Sequence, residues 1–140
     1  MPDERLALLA PYVGLPFQPG GRTRAGVDCW GVVRLVYAEV LGIELPAYDT
    51  VDAVDPQACA AEMRDPPRDA WLAVPLVKAR FGDVILLRVS GVPSHVGFFI
   101  PQARMLHAQK GTGALIEPLD RPAWRHRVVA CYRHRGMAPA

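Results

Sequence analysis

Gly26-Val27-Asp28-Cys29-Trp30-Gly31-Val32-Val33-Arg34-Leu35-Val36-Tyr37-Ala38-Glu39-Val40-Leu41-Gly42 is the stretch that decides how this chain folds. Val32, Val33, Leu35, Val36, Val40 and Leu41 recur at helical spacing, and Arg34 and Glu39 fall off that apolar face. Asp28 is a suitable N-cap and Gly42 a suitable C-terminal stop. The spacing predicts a helix of roughly three to four turns, with Cys29 in its first turn. Ahead of it, Gly14, Pro16, Pro19, Gly20, Gly21 and Gly26 predict an irregular loop, with a turn at Pro19-Gly20-Gly21. Residues 3 to 10 read as a short helix that ends before Pro11.

Downstream, residues 44 to 81 are broken by Pro46, Pro56, Pro66, Pro67 and Pro75. A helix from about Pro56 to Met63, capped by Asp55, is expected within this excursion. From Gly82 the period changes to that of strands. Asp83 to Val89, His95 to Ile100, Arg104 to Ala108, Ala114 to Pro118 and Arg127 to Arg133 are β-rich runs joined by short turns. Helices first and a meander after them predict an α+β domain with an antiparallel sheet of about five strands. No linker divides the chain, so residues 1–140 read as one domain.

Composition narrows the function. A hydrophobic fraction of 51% is that of a globular chain, and a formal net charge of +2 does not point to nucleic acid. The arginine-rich end, including Arg133, reads as a solvated strand face, and His126 and His134 among those arginines read as solvated too. Cys29, Cys59 and Cys131 are an odd set with no CxxC spacing, so neither a disulfide framework nor structural zinc is expected. Cys131 lies in an apolar run and reads as a small buried hydrophobe. No stretch is long enough to span a membrane, so membrane insertion is not expected. The charged Met1-Pro2-Asp3-Glu4-Arg5 and the short Leu6 to Ala10 lack the shape of a signal peptide. The expectation is synthesis in the cytoplasm, with delivery by something else if the protein acts outside.

Cys29 stands out by its context. A thiol in the first turn of a helix meets the positive end of the dipole, which favours thiolate. The same backbone N–H groups can donate to an oxyanion. Gly31 lets backbone and substrate approach closely. His95 opens one strand and His107 lies on the next, so His95 can take the thiol proton while His107 orients it. Ser94, Gly97 and Ala108 leave room beside them. Asp28 is fully explained as a cap, and Trp30 is placed to line the cleft.

These residues resemble the NlpC/P60 cysteine peptidases, papain-like cell-wall hydrolases, from about Tyr12 to Arg135. The likeness rests on Pro19-Gly20-Gly21, Asp28-Cys29-Trp30-Gly31, Gly82-Asp83-Val84, Ser94-His95-Val96-Gly97-Phe98 and Leu106-His107-Ala108, in that order. It implies Cys29 as nucleophile, His95 as base and His107 as the polar third residue. It also implies hydrolysis of an amide in the peptidoglycan stem, commonly between D-glutamate and diaminopimelate, without metal or organic cofactor. Trp30 replaces the serine common after the cysteine. With Leu41-Gly42-Ile43-Glu44-Leu45-Pro46, it resembles the phage-tail and gene-transfer-agent branch. That implies tail or baseplate partners and action at the periplasmic wall, with the tail contact placed between Ala47 and Arg80. Phe17 stands where many relatives carry a tyrosine and cannot donate to the oxyanion, which leaves that task to Tyr12 or to the helix N-terminus. Two other readings compete: a structural tail-tip subunit with a dispensable site, and a thiol amidase or acyltransferase on another substrate.

Overall fold

A computed structural model describes residues 4–46 and 69–137. Helix α1 (Glu4–Leu9) runs into a 3-10 turn, Ala10–Tyr12, which takes Pro11 at its start, where a missing N–H costs nothing. A two-stranded ribbon of β1 (Arg22–Thr23) and β2 (Gly26–Val27) leads into α2 (Cys29–Val36). Helix α2 continues as a π-helical turn, Tyr37–Leu41, and stops at Gly42 with φ +69°. Asp28 is extended and its carboxylate accepts from Gly31 N, so both predicted ends of this helix are as the sequence reads.

Six strands form the main antiparallel sheet: β3 (Trp71–Val74), β4 (Val84–Val89), β5 (Val92–Ile100), β6 (Arg104–Gln109), β7 (Gly113–Pro118) and β8 (Val128–His134). Their order is β3-β8-β4-β5-β6-β7. This is one strand more than the expected five. The extra strand, β3, lies in the stretch read as a proline-broken excursion. It is only four residues long and has no alternating apolar pattern. It is recruited by tertiary partners: Trp71 pairs with His134 in the ladder, and its ring sits edge-on to His134 at 4.8 Å and tilted against Tyr37 at 6.0 Å. His134 is therefore half-buried rather than solvated. The helix expected over Pro56 to Met63, Cys59, and most of the Ala47 to Arg80 tail contact fall outside the described residues.

Strand alternation divides the apolar residues between two faces. Val84, Leu86, Val96, Phe98, Ile100, Leu106 and Ala108 pack with Val32, Val33 and Val36 of α2 and with Tyr37 of the π turn that follows it. Ile85, Leu87, Phe99 and Met105 pack on the other face with Leu119, Trp124 and Cys131. The Gly82-Asp83 motif is structural. Asp83 is wholly buried and accepts from Arg133 Nε at 3.0 Å, Arg133 Nη2 at 2.8 Å and Arg80 N at 2.8 Å. The expectation that Arg133 lies on a solvated face is corrected by this pair. Removing Arg133 would leave a buried carboxylate without its cation, which typically costs about 3–5 kcal/mol.

Candidate active site

The start of α2 is built locally. Asp28 Oδ1 accepts from Gly31 N at 2.7 Å and from Arg22 Nη1 at 2.7 Å, and Oδ2 accepts from Gly20 N at 3.1 Å. One carboxylate thus caps the helix and ties the glycine loop to it. A Cβ on Gly31 would lie 1.9 Å from Gly21 O, and one on Gly21 would lie 2.3 Å from Gly26 O. The loop lies flat on the first turn only because those side chains are missing. Cys29 is half-buried at the first helical position, with the amides of that turn aimed out of the helix end.

The height of Cys29 along the sheet follows from the far end of the helix. Tyr37 Oη donates to Gly82 O, and Gly82 N donates to Phe99 O at 3.0 Å. Eight helical residues separate Tyr37 from Cys29, about 12 Å. Four strand residues separate Phe99 from His95, about 13 Å. Val27 N donates to Pro16 O and Ala114 N to Leu15 O, each at 2.9 Å, and Ala114 pairs with Ala108 on β6, so the loop before α2 puts Cys29 at the His95 end of the sheet. Alternation with Val96 and Ala108 turns His95 and His107 to the face away from α2. His95 also follows a bulge: Leu87 pairs with His95 and Arg88 with Pro93, which leaves Ser94 as the extra residue.

The two histidines are brought together by register. One step beyond the last β5–β6 pair, Phe98 with Leu106, His107 stands across from Gly97, and His95 is its diagonal neighbour. Gly97 has no room for a Cβ, which would lie 2.7 Å from Met105 Sδ. His95 Nε2 lies 2.8 Å from His107 Nδ1, with the rings edge to face. The next diagonal repeats the pattern. His107 pairs with Leu115 on β7, and Glu117, two residues on, places Oε1 3.1 Å from His107 Nε2. Trp124 closes the group. Its Nε1–H donates to Glu117 Oε2 at 2.9 Å, and its ring stacks on His95 at 5.5 Å, 15° from parallel.

The rings of this cluster are nearly dry: His107 is 0% exposed, His95 6% and Trp124 5%, while the Glu117 side chain is 26% exposed. Burial, reinforced by His107, pushes the His95 imidazolium down to about 3. Burial also lowers His107, against the pull of Glu117. Both rings are neutral at pH 7, so the His107–Glu117 contact is a hydrogen bond rather than an ion pair. A neutral buried imidazole can accept a proton, and with one nitrogen held by a neighbour it presents the other.

The remaining predicted residues have other partners. Ser94 Oγ donates to Val92 O at 3.2 Å. Trp30 Nε1 donates to Pro46 O at 2.7 Å and packs against the helix-side core. Tyr12 Oη donates to Glu39 Oε1 at 2.7 Å, and Glu39, in the π turn that continues α2, lies ten residues from Cys29, about 15 Å of helix. That corrects the expectation that Tyr12 could serve the oxyanion. Phe17 bridges to Val27 and lines a cleft of about 470 Å³ with Pro16, Pro19, Lys110 and Thr112. Cys131 is buried beside Asp83, and its thiol is pushed up to about 12 by burial and by that carboxylate. Among the described residues, no group of three His, Cys, Asp or Glu side chains could hold a metal ion, and no helix is long and apolar enough to cross a membrane. Sequence reading missed Glu117 and Trp124. The one signal for Glu117 is a charge at every-second-residue spacing from Leu115, and Trp124 lies in an arginine-rich loop without periodicity.

Comparison with known proteins identifies the family and the fold. The chain is 28% identical over 118 residues to the murein DD-endopeptidase MepS/murein LD-carboxypeptidase of Escherichia coli K12, covering 84% of this chain and 55% of that protein. It is 30% identical over 125 residues to a probable endopeptidase NlpC homolog of Haemophilus influenzae, covering 89% of this chain and 58% of that one. The chain thus spans little more than half the length of these relatives. The NlpC/p60 domain of the peptidoglycan hydrolase SagA superposes with a TM-score of 0.64 at 19% identity, covering 91% of this chain and 94% of that one. The NlpC/P60 family model matches residues 14–133, and with the helix-borne cysteine and the six-stranded sheet already in place, the chain belongs to the NlpC/P60 family.

Proposed function

We propose that this protein is a cysteine peptidase that hydrolyses amide bonds in the peptide stems of peptidoglycan, of the D-glutamate–diaminopimelate type, and that a phage-like or gene-transfer-agent tail carries it to the periplasmic wall. The observation that carries the enzymatic reading is the buried 2.8 Å His95–His107 pair at the sheet end where the loop before α2 and Cys29 are tied to β6 through Ala114. Cys29 gives its proton to His95 Nδ1, and the thiolate attacks the amide carbonyl. The oxyanion meets the N–H groups of the first helical turn. His95 then protonates the leaving amine, and water releases the acyl group by the reverse sequence. The reading requires the Nδ1 edge of His95 to meet the thiol around this end of the sheet.

The peptidoglycan substrate is supported by the names of the relatives. The tail assignment is supported by the branch-like motif, whose two halves are one unit here. Trp30 donates to Pro46 O, and Arg34 Nε donates to Leu45 O at 3.0 Å. Digestion of Gram-negative sacculi by wild type and Cys29→Ala, with fragments identified by mass spectrometry, tests both the reaction and the bond. Cys29-dependent release of stems cut after D-glutamate is expected. No release by folded wild type would overturn the enzymatic reading and favour a structural tail subunit, and release of D-alanyl-linked fragments would replace the proposed bond.

A further inference from the structure

We propose that Glu117 is a positioning residue that sets the tautomers of both histidines, and that Trp124 sets which way Glu117 acts. This rests on the reading of His95 as the base. A carboxylate only accepts, so His107 Nε2, 3.1 Å from Glu117 Oε1, carries a hydrogen. A neutral imidazole has one N–H, so His107 Nδ1 is an acceptor. His95 Nε2, 2.8 Å away, must then donate to it. That leaves His95 Nδ1 unprotonated, which is the form able to take a thiol proton. The other tautomer of His107 would donate toward His95 and put the His95 hydrogen on Nδ1, where it blocks the base.

Trp124 makes the setting one-directional. An indole N–H only donates, so Glu117 Oε2 at 2.9 Å is held as its acceptor. The indole also covers both imidazoles, stacked on His95 and edge-on to His107 at 5.1 Å, which keeps water off the two rings. A charged neighbour of the indole is Arg127, whose guanidinium lies 5.5 Å from the Trp124 ring centroid.

The consequence is an inversion. In Glu117→Gln the amide oxygen must serve Trp124, so the NH2 faces His107 Nε2. His107 then donates from Nδ1, and His95 becomes protonated on Nδ1. Adding Trp124→Phe frees the amide to turn its oxygen to His107 and restores the original order.

The test is long-range 1H–15N NMR at pH 7 on protein labelled at histidine nitrogens. Wild type should show His95 and His107 each protonated on Nε2. Glu117→Gln should move both hydrogens to Nδ1, and Glu117→Gln/Trp124→Phe should move them back. On released stem peptides, kcat/KM should fall by about 100-fold or more in the single variant, the lower end of what a general base contributes. It should recover in part in the double variant. His95 protonated on Nδ1 in wild type would overturn the proposal even if neither variant folded, as would an unchanged pattern in folded Glu117→Gln. Correct tautomers in a wild type that cleaves no stem peptide would instead count against the peptidase reading alone.

Discussion

The two halves of the site are built in opposite ways. At the start of α2, the contacts that build the first turn around Cys29 come from within about a dozen residues: the Asp28 cap, Arg22, Gly20, and the Gly21–Gly31 approach. On the sheet, His95, His107, Glu117 and Trp124 come from three strands and a loop and meet only through diagonal register. The first half sets a charged cap beside a half-buried thiol, while the second buries two neutral imidazoles under an indole and leaves the Glu117 carboxylate partly exposed. A thiol that must meet substrate belongs at a helix end. A base that must hold one tautomer belongs where water cannot offer it another partner.

The largest expected effect falls on the helix half. Cys29→Ala should lower kcat on stem peptides by about 10⁴-fold or more, since it removes the nucleophile. It should leave thermal unfolding nearly unchanged, because the residue is only half-buried. A matching loss of stability would show that Cys29 is a core residue. On the sheet half, His95→Gln should lower kcat/KM by about 10² to 10⁴-fold while the thiol stays reactive to iodoacetamide. Equal loss of alkylation would mean that the two halves are not separable.

Asp28→Ala sharpens the contrast in stability. It removes a cap worth about 1 kcal/mol and the hydrogen bonds that Arg22 and Gly20 make to the same carboxylate, so urea unfolding should show a loss of roughly 2 kcal/mol. Alkylation of Cys29 should slow as well. Among the thiols, Cys131 should stay unlabelled in folded protein, since its pKa is pushed up to about 12. Labelling of Cys131 at the rate of Cys29 would remove the distinction between them.

A smaller, graded effect comes from pH. The His95 pKa is depressed in the folded state to about 3, below its value of about 6.5 when unfolded. The unfolded chain therefore binds the proton first on acidification. The stability this burial permits is fully present above pH 6.5 and is lost as pH falls toward 3. His107, also lowered, acts in the same direction. His95→Gln should flatten the slope of unfolding free energy between pH 6.5 and 4, and an unchanged slope would place the acid sensitivity elsewhere.

Much of this was legible in the sequence, for reasons that differ by region. Asp28, Cys29 and Gly42 could be placed because caps and helical period act over a few residues. Five of the six main strands were legible from their apolar runs. Strand β3 was not, because its four residues have no pattern of their own and join β8 through the Trp71–His134 contact. Arg133 and Tyr12 read as surface and site residues because sequence does not reveal a distant partner such as Asp83 or Glu39.

By itself, then, the sequence determined where a helix begins, which thiol heads it, and which two histidines lie on successive strands. Only the tertiary structure decided that these histidines share one dry face, that Glu117 and Trp124 complete their hydrogen bonding, and that Tyr12 faces away. The physical reason is range. Capping and periodicity are set by neighbours along the chain, whereas cross-strand diagonals and burial depend on register fixed by the whole sheet.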